Sequence, residues 1–242
     1  MSCYGPLAAW YDQLTGDVPY GEFADYYEKL FSADDGEFQL LLDLCCGTGT
    51  LTYEMARRGY ELIAVDASVD MLMQAREKSY ALETPPLFLC QDACTLDLYG
   101  TVDAAYCSLD GMNYIPGESL ATVFDRLRLF IRPDGLLIFD IRSPEWLDSM
   151  DGQIYVDEKD DVLCLWRAEI DRENGSIGYG MDIFSREGAL WRRDSEEHTE
   201  YIHDFSVLKA LLESHGFTDA QLRTDGPQCS LGRQFITAKR VK

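Results

Sequence analysis

The feature that most constrains the fold is an alternation of short apolar runs with amphipathic stretches between Leu40 and Asp140. The apolar runs are too short for helices, and most are bounded by Gly, Pro or Asp, as in parallel strands joined by helices. Five strands are predicted: Leu40–Leu44, Leu62–Asp66, Leu87–Cys90, Ala104–Ser108 and Leu136–Asp140. Apolar residues at helical spacing over 120–131 predict a helix before the fifth strand, ended by Pro133-Asp134-Gly135.

The pattern changes to a period of two over Gln153–Tyr201, which is typical of antiparallel strands. Asn174-Gly175 interrupts this segment and indicates a hairpin turn, because both residues tolerate positive φ. A helical pattern then resumes at Val207–Leu212, and two further strands are predicted near Phe217–Arg223 and Gln234–Lys239. The sequence therefore predicts an α/β core with an antiparallel insertion after its fifth strand.

Composition restricts the partners. The chain has 242 residues, enough for one α/β domain with an elaboration, and its 43 acidic and 21 basic residues give a net charge of -22. Such a charge repels phosphate backbones and anionic lipid surfaces, so neither nucleic acid nor membrane is an expected partner. The first residues resemble no signal peptide and no apolar run approaches a membrane span, so we expect a cytoplasmic protein, either monomer or homodimer.

The eight cysteines are scattered, mostly in apolar runs, and are expected to be buried reduced thiols. No CxxC pair occurs, and the three histidines lie far from the cysteines in sequence, so no metal site is predicted.

The sharpest local signal is the run Leu41–Gly49, a strand that leads directly into a turn containing Gly47 and Gly49. A turn without Cβ atoms lets a ligand approach the backbone, and the following helix presents free N–H groups at its start. Asp66 ends the second strand about seventeen residues later, where an acidic side chain can accept both hydroxyl hydrogens of a ribose. The pair indicates nucleoside recognition.

Two nucleoside classes share this arrangement. A dinucleotide fold favours G-x-G-x-x-G, whereas this chain has Thr52 at the last glycine position. Asp43, directly before the turn, would repel a diphosphate but suits a ligand with an ammonium and a sulfonium group. The charges favour S-adenosylmethionine (AdoMet) over a nicotinamide cofactor, which remains the alternative.

Several segments, in the correct order, resemble the cofactor motifs of the class I AdoMet-dependent methyltransferases. Asp43–Gly49 is similar to their motif I, except that Cys45 replaces the first glycine and puts a Cβ into a tight turn. Asp66–Leu72 resembles their D-x-S-x-x-M-L stretch, and Arg132–Gly135 their L-x-P-G-G turn. Gln91-Asp92-Ala93 resembles the segment that contacts the adenine edge.

The resemblance implies a Rossmann-like seven-stranded sheet of order 3-2-1-4-5-7-6, its last strand antiparallel, with helices on both faces. It divides the chain into a helical lid (1–36), an AdoMet-binding core (37–145), an antiparallel insertion over the acceptor site (146–203) and a segment that completes the sheet (204–242). The implied cofactor residues are Tyr11, Asp43, Cys45, Gly47, Gly49, Asp66, Ala67, Met71, Gln91, Asp92, Ala93, Ser108 and Leu109. Met71 as a core residue and Asp92 as a turn residue are the alternatives.

The acceptor is expected at the exit of the fourth strand, where open α/β sheets bind ligands. Asp110, Asn113 and Tyr114 are candidates to hold or orient it, and Asp110 is also a candidate general base, for which capping or stabilising a turn is an equal alternative. His198 follows Glu196-Glu197 and is a candidate base or a hydrogen-bonded structural histidine.

Tyr11, within Trp10-Tyr11-Asp12, resembles an element that folds over the cofactor, where its ring would attract the sulfonium; packing against the sheet is the alternative. Trp166, Tyr179 and Trp191 of the insertion are expected to cover the acceptor. Methyl transfer to a small-molecule acceptor is the predicted function. A nicotinamide-dependent oxidoreductase, a non-catalytic AdoMet-fold binding protein and methylation of a basic protein are the alternatives.

Overall fold

The strands predicted for the core form one seven-stranded sheet, and the strands of the insertion form a second sheet. The computed structural model describes residues 4–242, so the first three residues of the expected lid, which include Cys3, lie outside it. The eight α-helices of this part of the chain are α1 (Gly5–Ala8), α2 (Tyr11–Leu14), α3 (Tyr20–Ser32), α4 (Thr50–Arg57), α5 (Val69–Ser79), α6 (Leu120–Phe130), α7 (Pro144–Ser149) and α8 (Phe205–Ser214). The core strands are β1 (Leu40–Leu44), β2 (Glu61–Asp66), β3 (Leu87–Cys90), β4 (Val102–Cys107), β5 (Ile131–Arg142), β10 (Phe217–Arg223) and β11 (Arg233–Arg240). The insertion strands are β6 (Ile154–Glu158), β7 (Val162–Asp171), β8 (Ser176–Glu187) and β9 (Leu190–Tyr201).

The large sheet has the strand order β3-β2-β1-β4-β5-β11-β10. Strands β1 to β5 are parallel, whereas β11 runs antiparallel to both β5 and β10. The expected order 3-2-1-4-5-7-6 with an antiparallel last strand is therefore confirmed. This order reverses between β1 and β4, so a crevice opens beyond the carboxyl ends of these two strands.

The predicted end of the helix before the fifth strand is displaced. Helix α6 ends at Phe130 and β5 begins at Ile131, so Pro133-Asp134-Gly135 lies inside the strand rather than before it. The register on β4 moves from Val102↔Ile131 to Ala104↔Leu136, which leaves three extra residues on β5 as a bulge. Asp134 has a φ of 61°, so the predicted turn chemistry is present, but strand pairing continues on both sides of it.

The insertion is a separate four-stranded antiparallel sheet of order β6-β7-β8-β9. Its central hairpin pairs Asp171 with Ser176, and Gly175 in the connection has a φ of 61°, as the Asn174-Gly175 signal predicts. One face of this sheet packs against the N-terminal helices through a cluster that contains Leu7, Cys164 and Ile183.

Two apolar clusters cover the faces of the large sheet. On one face, α3 packs Phe23 and Tyr27 against Leu41 and Tyr106. On the other, residues of α6 and α8 such as Phe124 and Leu208 pack against β5 and β11. The carboxyl ends of the strands are left to loops, so the residues that follow β1, β2 and β4 meet at one edge of the sheet.

All seven cysteines within the described residues are free thiols, as expected, but only Cys107 and Cys164 are buried, so the expectation of burial was wrong for the others. No group of three His, Cys, Asp or Glu side chains in residues 4–242 is arranged to hold a metal ion. No helix in this range is long and apolar enough to cross a membrane.

Candidate cofactor and acceptor site

A cavity of about 430 Å³ lies at the carboxyl ends of β1, β2 and β4 and extends beneath the N-terminal helices. It has the size expected for a small-molecule site. Ten residues predicted to bind the cofactor line it: Tyr11, Asp43, Cys45, Gly47, Asp66, Ala67, Met71, Asp92, Ser108 and Leu109. Gly49, Gln91, Ala93, Asp110, Asn113 and His198 do not line it, and each has another position in the fold.

The turn after β1 has three residues in the left-handed region, since φ is 58° at Cys45, 56° at Gly47 and 70° at Gly49. Cys45 has a left-handed φ, which a single residue with a Cβ can adopt at limited cost, so the turn forms in spite of the Cβ. Gly49 serves packing rather than ligand approach, because a Cβ there would lie 2.8 Å from the Cβ of Ala75. Gly47 faces open space and lines the cavity.

Asp66 connects the end of β2 to this turn. Its Oδ2 accepts a hydrogen bond from the Gly47 N–H at 2.8 Å, and its Oδ1 accepts one from the Ser68 N–H at 2.8 Å. Burial raises the pKa of Asp66, although these backbone N–H groups favour its charged form. Both oxygens retain lone pairs, and the carboxylate lines the cavity, so it can accept hydroxyl hydrogens from a bound ribose.

Asp43 is the buried acidic group of the cavity, with 2% of its surface exposed. Its Oδ2 accepts hydrogen bonds from Thr52 Oγ1 at 2.5 Å and from Tyr106 Oη at 3.1 Å. Burial raises the pKa of Asp43 to about 7, in spite of these two donors. Thr52, which the sequence pattern indicated only as a departure from the dinucleotide motif, therefore positions this carboxylate.

Only some of the residues expected to contact the adenine line the cavity. Met71 and Asp92 line the cavity, and Asp92 also accepts a hydrogen bond from the Cys94 N–H at 2.7 Å, so it has the turn role as well. Gln91 instead bridges the next loop: its Oε1 accepts from the Asp97 N–H at 2.9 Å and its Nε2 donates to the Asp97 carbonyl at 3.1 Å. Ala93 begins a short 3-10 helix and packs against the core.

The loop that follows β4 is held in place by a buried ion pair between Asp140 and Arg233. Leu109 and Asp110 both have positive φ, at 55° and 59°. Their N–H groups donate to the carboxylate of Asp140, at 2.9 Å and 2.8 Å. Arg233, 2% exposed, donates from Nη1 to both Asp140 and Asp110. The Arg233 guanidinium thus fixes the loop in which Leu109 lines the cavity.

Of the three expected acceptor residues of this loop, Tyr114 lines the cavity, whereas Asp110 and Asn113 have structural contacts. Asp110 pairs with Arg233 at 2.7 Å and lies 3.7 Å from Arg142; burial opposes its ionisation, but the two cations hold its pKa below the usual range. Asn113 is fully buried, donates to the Tyr201 carbonyl at 2.9 Å and accepts from the Arg142 N–H at 3.0 Å. These contacts support the turn-stabilising alternative for Asp110.

Three tyrosines of the N-terminal segment, Tyr4, Tyr11 and Tyr20, line the cavity. The Tyr4 and Tyr11 rings meet edge to face at 6.1 Å. Asp12, next to Tyr11, accepts a hydrogen bond from Thr48 Oγ1 at 2.6 Å and pairs with Lys78 at 2.5 Å, so this segment is fastened directly to the turn after β1. The arrangement places aromatic rings over a cavity with acidic walls.

His198 lies outside the cavity wall but directly behind it. The imidazole is 2% exposed, its Nε2 is 2.9 Å from Glu196 Oε2, and its ring contacts Tyr4 with centroids 4.5 Å apart. Glu196 in turn accepts from the Leu7 N–H at 2.7 Å. His198 thus joins the insertion to the N-terminal segment, as in its hydrogen-bonded alternative.

The aromatic residues expected over the acceptor separate into two groups. Tyr179 is buried beside His198 on the neighbouring strand, and Trp166 packs between Tyr179 and Tyr155 with its ring tilted to both. Trp191 is 46% exposed and packs beneath Arg186 at the far end of the insertion, so the expectation that it covers the site was wrong. The period of two identified the strands but not which end of the sheet faces the cavity.

Tyr4, which lines the cavity, was not singled out from the sequence, and neither were Asp140, Glu200 and Arg233, which do not line it. Arg233 lies 93 positions from Asp140, and Glu200 lies 86 positions from Tyr114. Only the alternation of Glu196, His198 and Glu200 on one strand could have indicated a shared inward face.

The residues present fit AdoMet. The cavity brings Asp66, a ribose partner, beside the exposed backbone of Gly47, and places the buried carboxylate of Asp43 and the ring of Tyr11 where cationic groups are stabilised. Met71 and Asp92 supply an apolar and an accepting wall suited to adenine.

Comparison with known proteins agrees with this geometry. Residues 41–135 match a family model described as a methyltransferase domain. The candidate methyltransferase YqeM of Bacillus subtilis (strain 168) is 26% identical over 246 residues, which cover 99% of this chain and 98% of the relative. An S-adenosylmethionine-dependent methyltransferase of Clostridium acetobutylicum ATCC 824 has a crystal structure with a TM-score of 0.84 and 25% identity, over 99% of this chain and 100% of that one.

A third similarity is structural. CalS10 of Micromonospora echinaspora, an amino pentose methyltransferase solved with bound AdoMet, has a TM-score of 0.78 at 19% identity, over 100% of this chain and 99% of its own. That likeness concerns the fold. The domain match, the full-length relatives and the cavity together support a class I S-adenosylmethionine-dependent methyltransferase.

Proposed function

We propose that the protein transfers the methyl group of AdoMet to a small-molecule acceptor. AdoMet, when bound, supplies an activated methyl group on a sulfonium, and the protein has to align the acceptor with it and exclude water. The observation that carries the proposal is the position of Asp66: its carboxylate holds the Gly47 N–H while facing a cavity that also contains Asp43.

In this proposal, different residues of the cavity bind different parts of the cofactor. Asp66 binds the ribose hydroxyls, Met71 and Asp92 border the adenine, and Asp43 attracts the α-ammonium group. Ser108 and Leu109 flank the methionine chain, and Tyr11 lies over the sulfonium. A phenol ring attracts a sulfonium as it attracts a quaternary ammonium, by about 0.5–2 kcal/mol.

The N-terminal segment and the insertion enclose the acceptor in the same proposal. Residues 4–36 act as a lid, because Tyr4, Tyr11 and Tyr20 cover the cavity and Asp12 fastens them to Thr48. Residues 146–203 support this lid from outside the cavity, since His198 contacts Tyr4 and Glu196 accepts a hydrogen bond from the Leu7 N–H. A cavity of about 430 Å³ shared with the cofactor favours a small acceptor, and the net charge of -22 disfavours RNA. The amino pentose acceptor of CalS10 is a precedent of that size.

Calorimetric titration with AdoMet, S-adenosylhomocysteine and NAD tests the cofactor, with Asp66→Asn as the variant. In Asp66→Asn, the amide N–H would face a backbone N–H donor and the charge is lost. Hydrogen bonds to a charged group contribute about 1.5–3 kcal/mol each, so we expect both adenosyl ligands to bind roughly 10- to 150-fold more weakly. Asp97→Asn, which changes an exposed carboxyl group near the site, should leave the affinity unchanged.

Three results contradict the proposal. Preferential binding of NAD would indicate an oxidoreductase. Equal affinities of wild type and Asp66→Asn for S-adenosylhomocysteine would remove Asp66 from the site. Tight adenosyl binding without methyl transfer to any class of acceptor would instead support a non-catalytic binding protein.

A further inference from the structure

Cys45, which stands where motif I has a glycine, lies beside a second thiol, that of Cys107. Cys45 directly follows β1, and Cys107 is the last residue of β4. A Cβ on Gly111 would lie 2.8 Å from Cys107 Sγ and 2.9 Å from Cys45 Cβ, so both cysteine side chains pack around the same point. Gly111 begins the short 3-10 helix Gly111–Tyr114 and, without a side chain, leaves the space in which the two sulfur atoms can meet.

The backbone brings the two side chains to the same face of the sheet. β1 and β4 are parallel neighbours, and the pair Asp43↔Tyr106 places Cys107 opposite Leu44. Leu44 and Cys107 both belong to the apolar cluster beneath α6 and α8. In a regular strand, the residue after Leu44 would point to the opposite face. The left-handed φ of 58° turns the Cys45 side chain back, and it packs against the same cluster as Cys107.

The spacing of the two backbones suits a disulfide. Neighbouring strands lie about 4.8 Å apart and rise about 3.3 Å per residue, so residues offset by one position have Cα atoms about 6 Å apart. Disulfides join Cα atoms that are about 4.4–6.8 Å apart. Both thiols are free in this structure. A bond between Cys45 and Cys107 thus requires rotation of two side chains rather than movement of a strand.

The two thiols differ in access. Cys45 is partly exposed and lines the cavity, whereas Cys107 is 1% exposed. The adjacent Cys45 thiol, together with burial, raises the pKa of the Cys107 thiol. Cys107 is therefore a poor nucleophile toward a reagent in solution. A small oxidant that enters the cavity meets Cys45 first, with Cys107 in contact behind it.

We propose that Cys45 and Cys107 form a reversible disulfide when a peroxide reaches the cavity, and that this disulfide lowers the affinity for AdoMet. The effect on AdoMet rests on the proposed function. Cys45 lies two residues before Gly47, and Cys107 directly precedes Ser108 and Leu109. Gly47, Ser108 and Leu109 all line the cavity, so a covalent bond between the two cysteines would shift its wall on both sides.

The step consumes one molecule of hydrogen peroxide. The Cys45 sulfur attacks one oxygen, so a sulfur–oxygen bond forms, the oxygen–oxygen bond breaks, and the leaving hydroxide takes the Cys45 proton to give water. The Cys107 sulfur then attacks the Cys45 sulfenic acid, so the sulfur–sulfur bond forms, the sulfur–oxygen bond breaks, and the hydroxide leaves with the Cys107 proton as a second water. The two thiols lose two electrons in total and the peroxide gains them. A dithiol such as dithiothreitol reverses the step by thiol–disulfide exchange.

Oxidation of the purified protein with hydrogen peroxide, alkylation of the remaining thiols and peptide mass spectrometry test the inference. We expect digestion to yield a linked peptide pair, two hydrogen atoms lighter than its parts, with fragments that assign the link to Cys45 and Cys107. The linked protein should bind S-adenosylhomocysteine about tenfold or more weakly than the reduced protein, because binding groups have to be held within about 0.5 Å of their positions. Dithiothreitol should restore the affinity. Saturating S-adenosylhomocysteine should slow the formation of the link, since Cys45 lies in the cavity wall.

Cys107→Ala removes the second thiol but leaves Cys45 in the cavity wall. After oxidation it should contain no link to Cys45, and dimedone should label Cys45 as a sulfenic acid, because no thiol resolves it. Cys164→Ala is the matched control, since Cys164 is the other buried cysteine of residues 4–242, 3% exposed and located in the insertion. It should behave as the wild type. Urea unfolding checks that both variants fold, and the mapping of the wild-type link does not depend on either of them.

Three results would overturn the inference. They are oxidation of Cys45 without a link, a link from Cys45 to a cysteine other than Cys107, and a linked protein that binds S-adenosylhomocysteine as tightly as the reduced one.

Failure of the proposed function has a different signature. If the reduced protein does not bind S-adenosylhomocysteine, the cofactor assignment fails, whereas peptide mapping still decides whether the disulfide forms. If the reduced protein binds S-adenosylhomocysteine and no link forms, only the inference fails.

Discussion

Arg233 connects the stability of the fold to the shape of the candidate site. Its side chain is 1% exposed and donates to Asp140, whose side chain is fully buried, and to Asp110. Asp140 in turn accepts the N–H groups of Leu109 and Asp110. Arg233→Met keeps a long apolar side chain but leaves two carboxylates without their common counter-charge.

The structure sets the size of the expected effect. Removing one partner of a buried ion pair costs about 3–5 kcal/mol, because the remaining charge stays buried and unpaired. In a chain of this length, each kcal/mol lowers the melting temperature by about 2–4 °C, so we expect a decrease of roughly 6–20 °C. Arg172→Met removes an exposed guanidinium paired with Asp148 and should cost less than about 1 kcal/mol.

Urea unfolding and thermal unfolding of both variants measure this difference, and titration with S-adenosylhomocysteine follows the site. Replacing Arg233, Asp110 and Asp140 together by Met, Asn and Asn should recover part of the lost stability, since no unpaired charge is then buried. A melting temperature of Arg233→Met within about 2 °C of the wild type would refute the reasoning, because that change corresponds to only about 1 kcal/mol or less.

Three further outcomes follow from the site. Gly49→Ala should lower the free energy of unfolding in urea by about 2–4 kcal/mol, because Gly49 has a left-handed φ and a Cβ there would lie 2.8 Å from Ala75. Gly47→Ala, with open space around it, should cost only about 1 kcal/mol, and equal costs would contradict the packing role of Gly49. Burial raises the pKa of Asp43 to about 7, so AdoMet affinity should rise about tenfold between pH 5.5 and 7.5 as the carboxylate ionises. Asp43→Asn should abolish this rise. Calorimetry that finds the same pH profile in both proteins would exclude Asp43 as the origin of the pH dependence. The pKa of Glu200 is raised from 4.5 to about 8 in the folded state, so the carboxyl group of the unfolded chain ionises at lower pH than that of the folded chain. The wild type should therefore lose stability relative to Glu200→Gln as the pH rises from 4.5 through about 8, by up to about 1.4 kcal/mol per pH unit. Urea unfolding that gives the same difference in unfolding free energy between the two proteins at every pH would contradict this.

The grouping of the candidate cofactor residues around one cavity was predictable because these residues are local in sequence. The strand ending at Leu44, the turn to Gly49 and Asp66 at the end of the next strand occupy one βαβ unit, whose geometry is determined by the period of its apolar residues. Even the Cys45 departure is tolerated within the turn, since a single residue can adopt a left-handed φ at limited cost.

The acceptor half was less predictable because its contacts are long-range. Asp110 was a reasonable candidate base from its position, but its partner Arg233 lies 123 residues away and no local pattern indicates that pair. The same holds for Glu200, whose environment depends on how the insertion docks on the helix containing Tyr114. Alternation along β9 indicated two faces, whereas tertiary packing decides which of them faces the site.

The most direct test of the central claim is the fate of the methyl group. The protein is incubated with methyl-labelled AdoMet and a metabolite extract supplemented with protein and RNA, and label is measured in the small-molecule, protein and RNA fractions together with S-adenosylhomocysteine. Methyl transfer to a small molecule predicts label in the small-molecule fraction in equal amount to S-adenosylhomocysteine, with both lost in Asp66→Asn. Label found in protein or RNA instead, or no transfer by a protein that binds AdoMet, would contradict the account.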